Sequence, residues 1–312
     1  MTDMAKEKRS ELFKRIKKHR MFYLFLLPAA VMVFLFSYMP LWGITIAFKD
    51  FKMARGIMGS EWVGLEHFQK LFTDPIFYRV LKNTLIIGIS TLLVSFPVTI
   101  LFTLLVNEIL HTGFKKIVQT ITYLPHFLSW VVVGTFAFQI LSPSSGVVNT
   151  ILTRLGILDG PVYFMAQPNL FVVIYLIVYL WKETGYSIVV YLAVISGIDT
   201  EQYEAAQIDG ANRFQKILYI TLPAMLPTIC VMLILNIGTI ISVGFDPIFN
   251  LYCDATYRTA DVISTFVYRK GMVEAQSDYS TAVGLFQNIV SLTLVLLSNW
   301  LARKANPEYR VI

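Results

Sequence analysis

Residues 204–210 read EAAQIDG and residues 220–223 read ITLP, and both stretches lie in a polar island between two long apolar segments. The residues before Gly210 predict a short helix that ends at this glycine, because glycine readily adopts the positive φ of a helix C-terminus. A second short helix is expected next, and Pro223 fixes the angle at which the apolar sequence resumes. The island therefore has a defined shape and is not a random polar loop.

The composition of the 312 residues is that of a protein that meets lipid. Hydrophobic residues make up 56% of the chain and charged residues 15%, whereas about a quarter of a soluble domain is charged. Too few polar groups remain to cover a surface that faces water. A membrane explains this composition, because lipid accepts apolar side chains on the outside of a protein.

Six apolar windows are long enough to cross a bilayer, which takes about 20 residues in a helix. Their continuous runs differ from the alternating segments of about ten residues that build outer-membrane barrels. The predicted fold is therefore all-α, a polytopic membrane protein with six transmembrane helices. The windows cover residues 21–48, 84–106, 117–141, 170–195, 224–245 and 282–301.

Basic residues indicate the orientation of these spans. A basic run before the first window favours the cytoplasmic side, and six spans return the C-terminus and residues 204–223 to that side. The predicted organisation is a basic cytoplasmic segment at 1–20, a transmembrane domain at 21–303 and a cytoplasmic tail at 304–312. The residues of the basic run are Lys6, Lys8, Arg9, Lys14, Arg15, Lys17, Lys18 and Arg20.

Several kinds of chemistry find no support in the sequence. The two cysteines and four histidines have no ligand spacing, no glycine-rich phosphate loop is present, and no catalytic cluster appears. We therefore expect a chain that is not an enzyme and binds no metal, cofactor or ATP itself. Nucleic acid is not expected either, since topology and attraction to anionic lipid account for the basic N-terminus.

The polar island carries a specific resemblance. Glu-Ala-Ala, three residues, Gly, nine residues and Ile-x-Leu-Pro resembles the cytoplasmic loop of bacterial binding-protein-dependent ABC importer permeases of type I fold. The resemblance implies that this loop docks on a dimer of ATPase subunits, which bind ATP and Mg²⁺. The loop residues carried over are Glu204, Ala205, Ala206, Asp209, Gly210, Ile220, Leu222 and Pro223.

Other segments narrow the resemblance to carbohydrate importers. Residues 63–84 contain VGLEHF, Asp-Pro-x-Phe and Asn-Thr, as in carbohydrate-importing permeases, and their apolar residues are spaced for an amphipathic helix ending at Asp74. Residues 261–265 (DVIST) and 281–285 (TAVGL) resemble the oligosaccharide and polysaccharide subgroup. The resemblance implies a second, homologous permease, an extracytoplasmic solute-binding protein, a carbohydrate substrate and a bacterial cytoplasmic membrane with both termini in the cytosol.

A face of the fourth window is the candidate substrate path. Three tyrosines and a lysine fall at i, i+4, i+7 and i+11, which is one helix face, and aromatic rings stack well on sugars. Charged and amide groups in a bilayer are costly and are read first as functional, although they also join helices. The tentative path residues are Tyr175, Tyr179, Lys182, Glu183, Tyr186, Asn236 and Asn288.

Two other classes of function stay open at this stage. A secondary transporter or channel driven by an ion gradient would show inverted repeats and broken helices around a charge at the membrane midplane. A membrane-embedded enzyme would need a catalytic cluster. Neither class has a use for the pattern in residues 204–223.

Overall fold

The structure is a computed structural model that describes residues 18–305. These residues belong to two compact units, divided after His67. The predicted cytoplasmic tails, 1–20 and 304–312, lie almost wholly outside the described residues.

The first unit begins with an apolar helix. α1 (Arg20–Val33) continues into a π-helical turn (Phe34–Tyr38) and a 3₁₀ segment (Met39–Phe48). These 29 residues form a candidate span with a mean hydropathy of 2.1, and none of its most apolar stretch is buried within the chain. The first predicted window is therefore helical throughout.

A small hairpin follows in the same unit. β1 (Lys49–Asp50) pairs antiparallel with β2 (Glu61–Trp62), and the short helix α2 (Gly56–Gly59) lies between them. The Lys49 ammonium lies 4.8 Å from the centroid of the Trp62 ring. Strands of two residues cannot cross a membrane, so the prediction of helical spans is unaffected.

The predicted amphipathic helix is confirmed as α3 (Glu66–Thr73). Asp74 ends it and starts the next helix, because its Oδ1 accepts the N–H of Ile76 at 2.8 Å. α4 (Pro75–Asn107) follows and is 33 residues long. It begins before the predicted window at residue 84, since the cap and Pro75 at the first helical position favour an early start.

The third predicted window is not one helix. α5 (Thr112–Tyr123) passes into a 3₁₀ turn (Leu124–Phe127), and α6 (Trp130–Ile140) leaves it at a bend of 100°. The bend lies at Leu128 and Ser129, whose backbones are extended with ψ of 141° and 152°. The Ser129 hydroxyl caps α6 by accepting the Val132 N–H at 3.4 Å. The described residues thus contain five continuous helices able to span a membrane, or six spans if the bent pair crosses as one.

The fifth predicted window is displaced. The coupling region and its span comprise α9 (Thr200–Ile208), α10 (Arg213–Lys216), a π-helical turn (Ile217–Thr221) and α11 (Leu222–Gly238). They follow α7 (Val147–Arg154), a 3₁₀ turn (Phe164–Ala166) and α8 (Phe171–Ser196). The span therefore runs over residues 213–238, not 224–245.

Two polar residues, one in the fifth predicted window and one just after it, consequently lie beyond the end of the span. Ser242 is in a turn after Gly238, and Asp246 is in the next short helix. Thr239 closes the span, because its hydroxyl donates to the Asn236 carbonyl at 2.8 Å. The remaining elements are α12 (Phe245–Phe249), α13 (Tyr257–Ala260), α14 (Ile263–Tyr268), a π-helical turn (Arg269–Val273) and α15 (Ser277–Ala305).

Two of the signature segments found in the sequence bind each other. The Asn83 amide donates to the carbonyls of Arg258 and Asp261, at 3.1 and 3.0 Å, and the Thr84 hydroxyl accepts the N–H of Ile263 at 3.0 Å. Helix α4 therefore holds the segment between α13 and α14 by side-chain hydrogen bonds.

The Asp261 carboxylate strengthens the same junction. Arg269 donates to both carboxylate oxygens, at 3.2 and 2.8 Å, and Thr265 adds a bond of 2.8 Å. Burial raises the pKa of the Asp261 carboxyl to about 6, and the Thr265 bond and the Arg79 charge oppose this rise. Paired groups thus compensate for a carboxylate that has left water.

Helices α4 and α8 form the main pair of the second unit, and α5 packs on α8 through Gly185. A Cβ built on Gly185 would lie 1.9 Å from the Thr122 carbonyl oxygen. The obstacle is backbone and cannot rotate away, so glycine is required where these helices touch.

We expect Gly185→Ala to destabilise the protein by about 1–3 kcal/mol, the usual cost of overpacking. Gly284→Ala is the matched control, since a Cβ there meets nothing within 4 Å and alanine favours a helix by about 0.5–1 kcal/mol. Thermal unfolding of the detergent-purified variants measures the difference. Equal midpoints would contradict the close approach at Gly185.

Candidate translocation path and coupling loop

One face of α8 lines two adjoining cavities. The larger has a volume of about 410 Å³ and lies between α4, α6, α8 and the end of α11. Aromatic rings, hydroxyls and an amide line it, and its functional side chains include Thr91, Ser95, Trp130, Tyr175, Tyr179 and Asn236. Such a lining combines flat apolar surfaces with hydrogen-bonding groups.

The smaller cavity continues this surface. It has a volume of about 240 Å³ and includes Tyr186 and Ser187 of α8. Four residues line both cavities, and these are Ser95, Tyr179, Glu183 and Asn236. The two spaces therefore meet at one polar junction between α4, α8 and α11.

Lys182 does not line either cavity. Its side chain is turned towards the break in the third window, where the ammonium donates to the His126 carbonyl at 2.6 Å. It lies 5.3 Å from the centroid of the Trp130 ring, and only 3% of the residue is exposed. Lys182 thus bonds to a neighbouring helix, which is the alternative that the sequence left open, and Glu183 occupies the cavity face.

Glu183 is held from two sides. Its Oε2 is 2.7 Å from His126 Nδ1, and its Oε1 is 3.4 Å from the Lys182 ammonium. The His126 ring also stacks on Tyr186, with centroids 3.9 Å apart. His126, Lys182 and Glu183 form the break cluster, which joins the 3₁₀ turn to α8.

The other predicted path residues differ in their surroundings. Tyr175 is buried and packs in the apolar core of the second unit, with its ring 5.8 Å from that of Tyr179. Asn236 donates its amide to the Met232 carbonyl at 2.7 Å. Asn288 is exposed and lines neither cavity.

Sequence reasoning missed two residues of this site. His126 has no ligand spacing in the sequence, and Trp130 belongs to no motif, so neither could be given a role. They lie on either side of the bend at Leu128 and Ser129, with His126 in the 3₁₀ turn and Trp130 at the start of α6. Ser129, a residue type that favours a helix N-cap, was the available signal for that bend.

The coupling loop, residues 199–223, has the predicted first helix and glycine stop, but its second short helix is continuous with the span over residues 213–238. Asp199 caps α9 by accepting the Glu201 N–H at 3.0 Å. Gly210 ends the helix with φ +80°. The N–H of Ala211 bonds to the Ala206 carbonyl at 2.8 Å, and this is the bond of a Schellman turn that spans six residues.

The loop is tied to the span that follows it. Asn212 and Gln215 form a capping box at α10. The Tyr203 hydroxyl lies 2.9 Å from that of Thr221, and Lys216 donates to Gln207 at 3.1 Å. Helix α9 is therefore hydrogen-bonded to the fifth span at two positions, Lys216 and Thr221.

The two faces of α9 have different environments. Tyr203 and Gln207 face an open cavity of about 1100 Å³ that Lys216 also lines. Glu204, Ala205 and Ile208 do not line that cavity, and Ile208 is 87% exposed. The Glu204 side chain makes no hydrogen bond or ion pair with the described part of the chain. Among the predicted docking residues, Glu204 and Ala205 therefore lie on an exposed face of α9. Ile220 and Leu222 are half-buried in the fifth span, and Pro223 is exposed there.

The chain is similar over most of its length to two proteins of known sequence from one bacterium. The chain is 42% identical over 97% of its length to the polygalacturonan/rhamnogalacturonan transport system permease protein YteP of Bacillus subtilis, covering 94% of that protein. It is 37% identical over 94% of its length to protein LplB of the same organism, covering 92% of it.

Solved structures agree with these relatives. A chain of a bacterial ABC transporter involved in the import of the acidic polysaccharide alginate is 44% identical, with a TM-score of 0.87, over 95% of this chain and 99% of that one. A second structure, of the alginate transporter in complex with an alginate pentasaccharide-bound periplasmic protein, has a TM-score of 0.86 at 44% identity, over 94% of this chain and 98% of that one.

The family model for binding-protein-dependent transport system inner membrane components matches residues 106–311. That range contains the bent third window, the cavity face of α8 and the whole coupling loop. The chain therefore belongs to the family of binding-protein-dependent transport system inner membrane components.

Proposed function

We propose that this chain is a permease subunit of an ATP-driven importer for oligosaccharides or polysaccharide fragments. One observation carries the proposal. A continuous helical segment, residues 213–238, joins the exposed coupling loop at one end to Asn236 in the cavity wall at the other. On this proposal, a docking loop and a solute path would be parts of one mechanical element.

The chemistry of the cavities supports a carbohydrate substrate. Tyr179 and Trp130 lie nearly parallel, with ring centroids 6.4 Å apart, and aromatic faces pack against the apolar faces of sugar rings. Hydroxyl and amide side chains around them offer both donors and acceptors. The relatives named for polygalacturonan, rhamnogalacturonan and alginate transport agree with this choice.

Partners follow from the exposed surfaces and from the relatives. A second homologous permease would complete the pore, and an ATPase dimer would bind ATP and Mg²⁺ and hold the coupling loop. A solute-binding protein would deliver the sugar outside the bacterial cytoplasmic membrane, since the related alginate transporter forms a complex with a pentasaccharide-bound periplasmic protein.

The alternative function, a transporter driven by an ion gradient, predicted broken helices, and the third window is broken. The family membership outweighs this single feature.

Coupling would use the contacts between α9 and the fifth span. When the ATPases close, they would move α9 through its exposed face. The Tyr203–Thr221 and Gln207–Lys216 bonds would pass this motion to residues 213–238. Asn236 would then shift at the cavity, and the path would open to the other side.

We expect Glu204→Lys to abolish uptake by the assembled transporter in proteoliposomes, because the substitution reverses the charge of the proposed docking face. Gln202→Lys is the control, since residue 202 lies on the opposite side of the same helix. Uptake of the cognate sugar and the amount of co-purified ATPase are measured together. Normal uptake by the Glu204 variant would refute the docking role.

We expect both termini to be cytoplasmic. In a chain with Cys230 and Cys253 replaced by serine, a cysteine at Thr2 or Ile312 should resist a membrane-impermeant thiol reagent in intact cells. A cysteine at Met272, which is 77% exposed between α14 and α15, should react. Reaction at either terminus would show that the orientation or the number of spans is wrong.

We expect Tyr179→Ala to reduce uptake about three- to tenfold, since an aromatic contact contributes roughly 0.5–1.5 kcal/mol. Basal ATPase activity should persist because the coupling loop is unchanged. Ile177→Ala is the matched control on the opposite, exposed face of α8. If both variants transport normally, Tyr179 does not line the path.

A further inference from the structure

The chain between α11 and α12 leaves the helical conformation inside an apolar window. Residues 239–244, which we call the cavity turn, form a turn and an irregular segment, although they lie in the window predicted over residues 224–245. Non-helical backbone is tolerated in a membrane protein where it is buried or lines a water-filled cavity. The residues of the cavity turn that line the larger cavity are Thr239, Ile240, Ser242, Val243 and Gly244.

Side chains and close packing hold the cavity turn in place. Gln287 of α15 donates its amide to the Ile241 carbonyl at 2.8 Å, and Ser291 of the same helix donates to the last carbonyl of α11. In α4, Gly88 lies against the Ile240 carbonyl, because a Cβ built on Gly88 would be 2.0 Å from that oxygen. The cavity turn therefore has a defined position between α4 and α15.

Three donors of the cavity turn have no partner in the chain. The N–H groups of Val243 and Gly244 make no hydrogen bond with the described residues, and neither does the Ser242 hydroxyl. A buried N–H without a partner is rare and costly, and Val243 is only 7% exposed. Water or a solute in the cavity would satisfy these groups.

We propose that the cavity turn is a sugar-binding subsite, in which the Gly244 N–H and the Ser242 hydroxyl donate hydrogen bonds to oxygen atoms of the substrate. The Val243 N–H is a third donor of the same wall. Hydroxyl and carboxylate oxygens both accept such bonds, so the subsite suits neutral and acidic sugar units alike. Trp130 and Tyr179 line the same cavity, and the subsite would add fixed donors to their ring surfaces. This inference rests on the proposed function.

Gly244 allows a substitution that removes one donor and keeps the backbone conformation. Its φ of −58° and ψ of 143° are angles that proline adopts, so Gly244→Pro removes the N–H without redirecting the chain. Gly244→Ala is the matched control, because alanine keeps the N–H. A Cβ at this position lies 3.2–3.3 Å from the Pro247 ring carbons, and this crowding is common to both variants.

A thiol elsewhere in the cavity reports binding. Ser95→Cys, in the chain with Cys230 and Cys253 replaced by serine, places this thiol in the lining. The assembled transporter in nanodiscs, without its solute-binding protein, is treated with an uncharged methanethiosulfonate. The probes are a galacturonan oligosaccharide, an alginate pentasaccharide and a neutral cello-oligosaccharide. The concentration of the best probe that halves the reaction rate measures its affinity for the cavity.

We expect Gly244→Pro to raise this concentration about two- to twelvefold over Gly244→Ala, which corresponds to about 0.5–1.5 kcal/mol for one hydrogen bond. Ser242→Ala should raise it by a similar factor, whereas Ser242→Thr, which keeps a hydroxyl, should not. Co-purified ATPase confirms the assembly of each variant.

Equal concentrations within either pair of variants would overturn the proposal, as would a thiol that no probe protects. If Gly244→Pro does not assemble, the Ser242 pair decides the outcome alone. Protection of the thiol by a probe that the wild-type transporter does not take up would instead count against the proposed function.

Discussion

The hydrogen bond from the Lys182 ammonium to the His126 carbonyl is the contact on which the functional part of this fold depends. A helix broken inside a membrane leaves backbone carbonyls without partners, at a cost of several kcal/mol each. Lys182 reaches across from α8 and satisfies the carbonyl at the break. The buried cation then requires a carboxylate beside it, and Glu183 supplies that charge at the surface of the cavities. One unsatisfied carbonyl thus accounts for two charged residues in an apolar helix.

The coupling loop was predictable in detail because its structure is local. The glycine with positive φ that ends α9 acts within a few residues of its own position. The same reasoning placed α3 and its end at Asp74. In each case the sequence contains all the groups that make the structure, and no distant segment decides the outcome. Pro223 did not decide where the span begins, because it lies inside the continuous helical segment of residues 213–238.

The path residues were predictable only in part, because distant segments decide them. Helical spacing groups Tyr175 and Tyr179 with either Lys182 or Glu183, since both positions fit a period of 3.6 residues within its tolerance. The choice between them depends on the packing of the 3₁₀ turn against α8, which places His126 beside residues more than fifty positions away. Asn83 and Asp261 present the same difficulty. Their segments were recognised separately, and the hydrogen bond that joins them spans 178 positions.

An experimental structure of the assembled transporter with an oligosaccharide caught in the pore would show directly which residues line the path. We expect a sugar ring packed against Tyr179, with a hydroxyl within hydrogen-bond distance of the Glu183 carboxylate, and Lys182 still bonded to the broken turn. A sugar that passes along another face, with Tyr179 and Glu183 sealed from the pore by protein, would contradict this expectation.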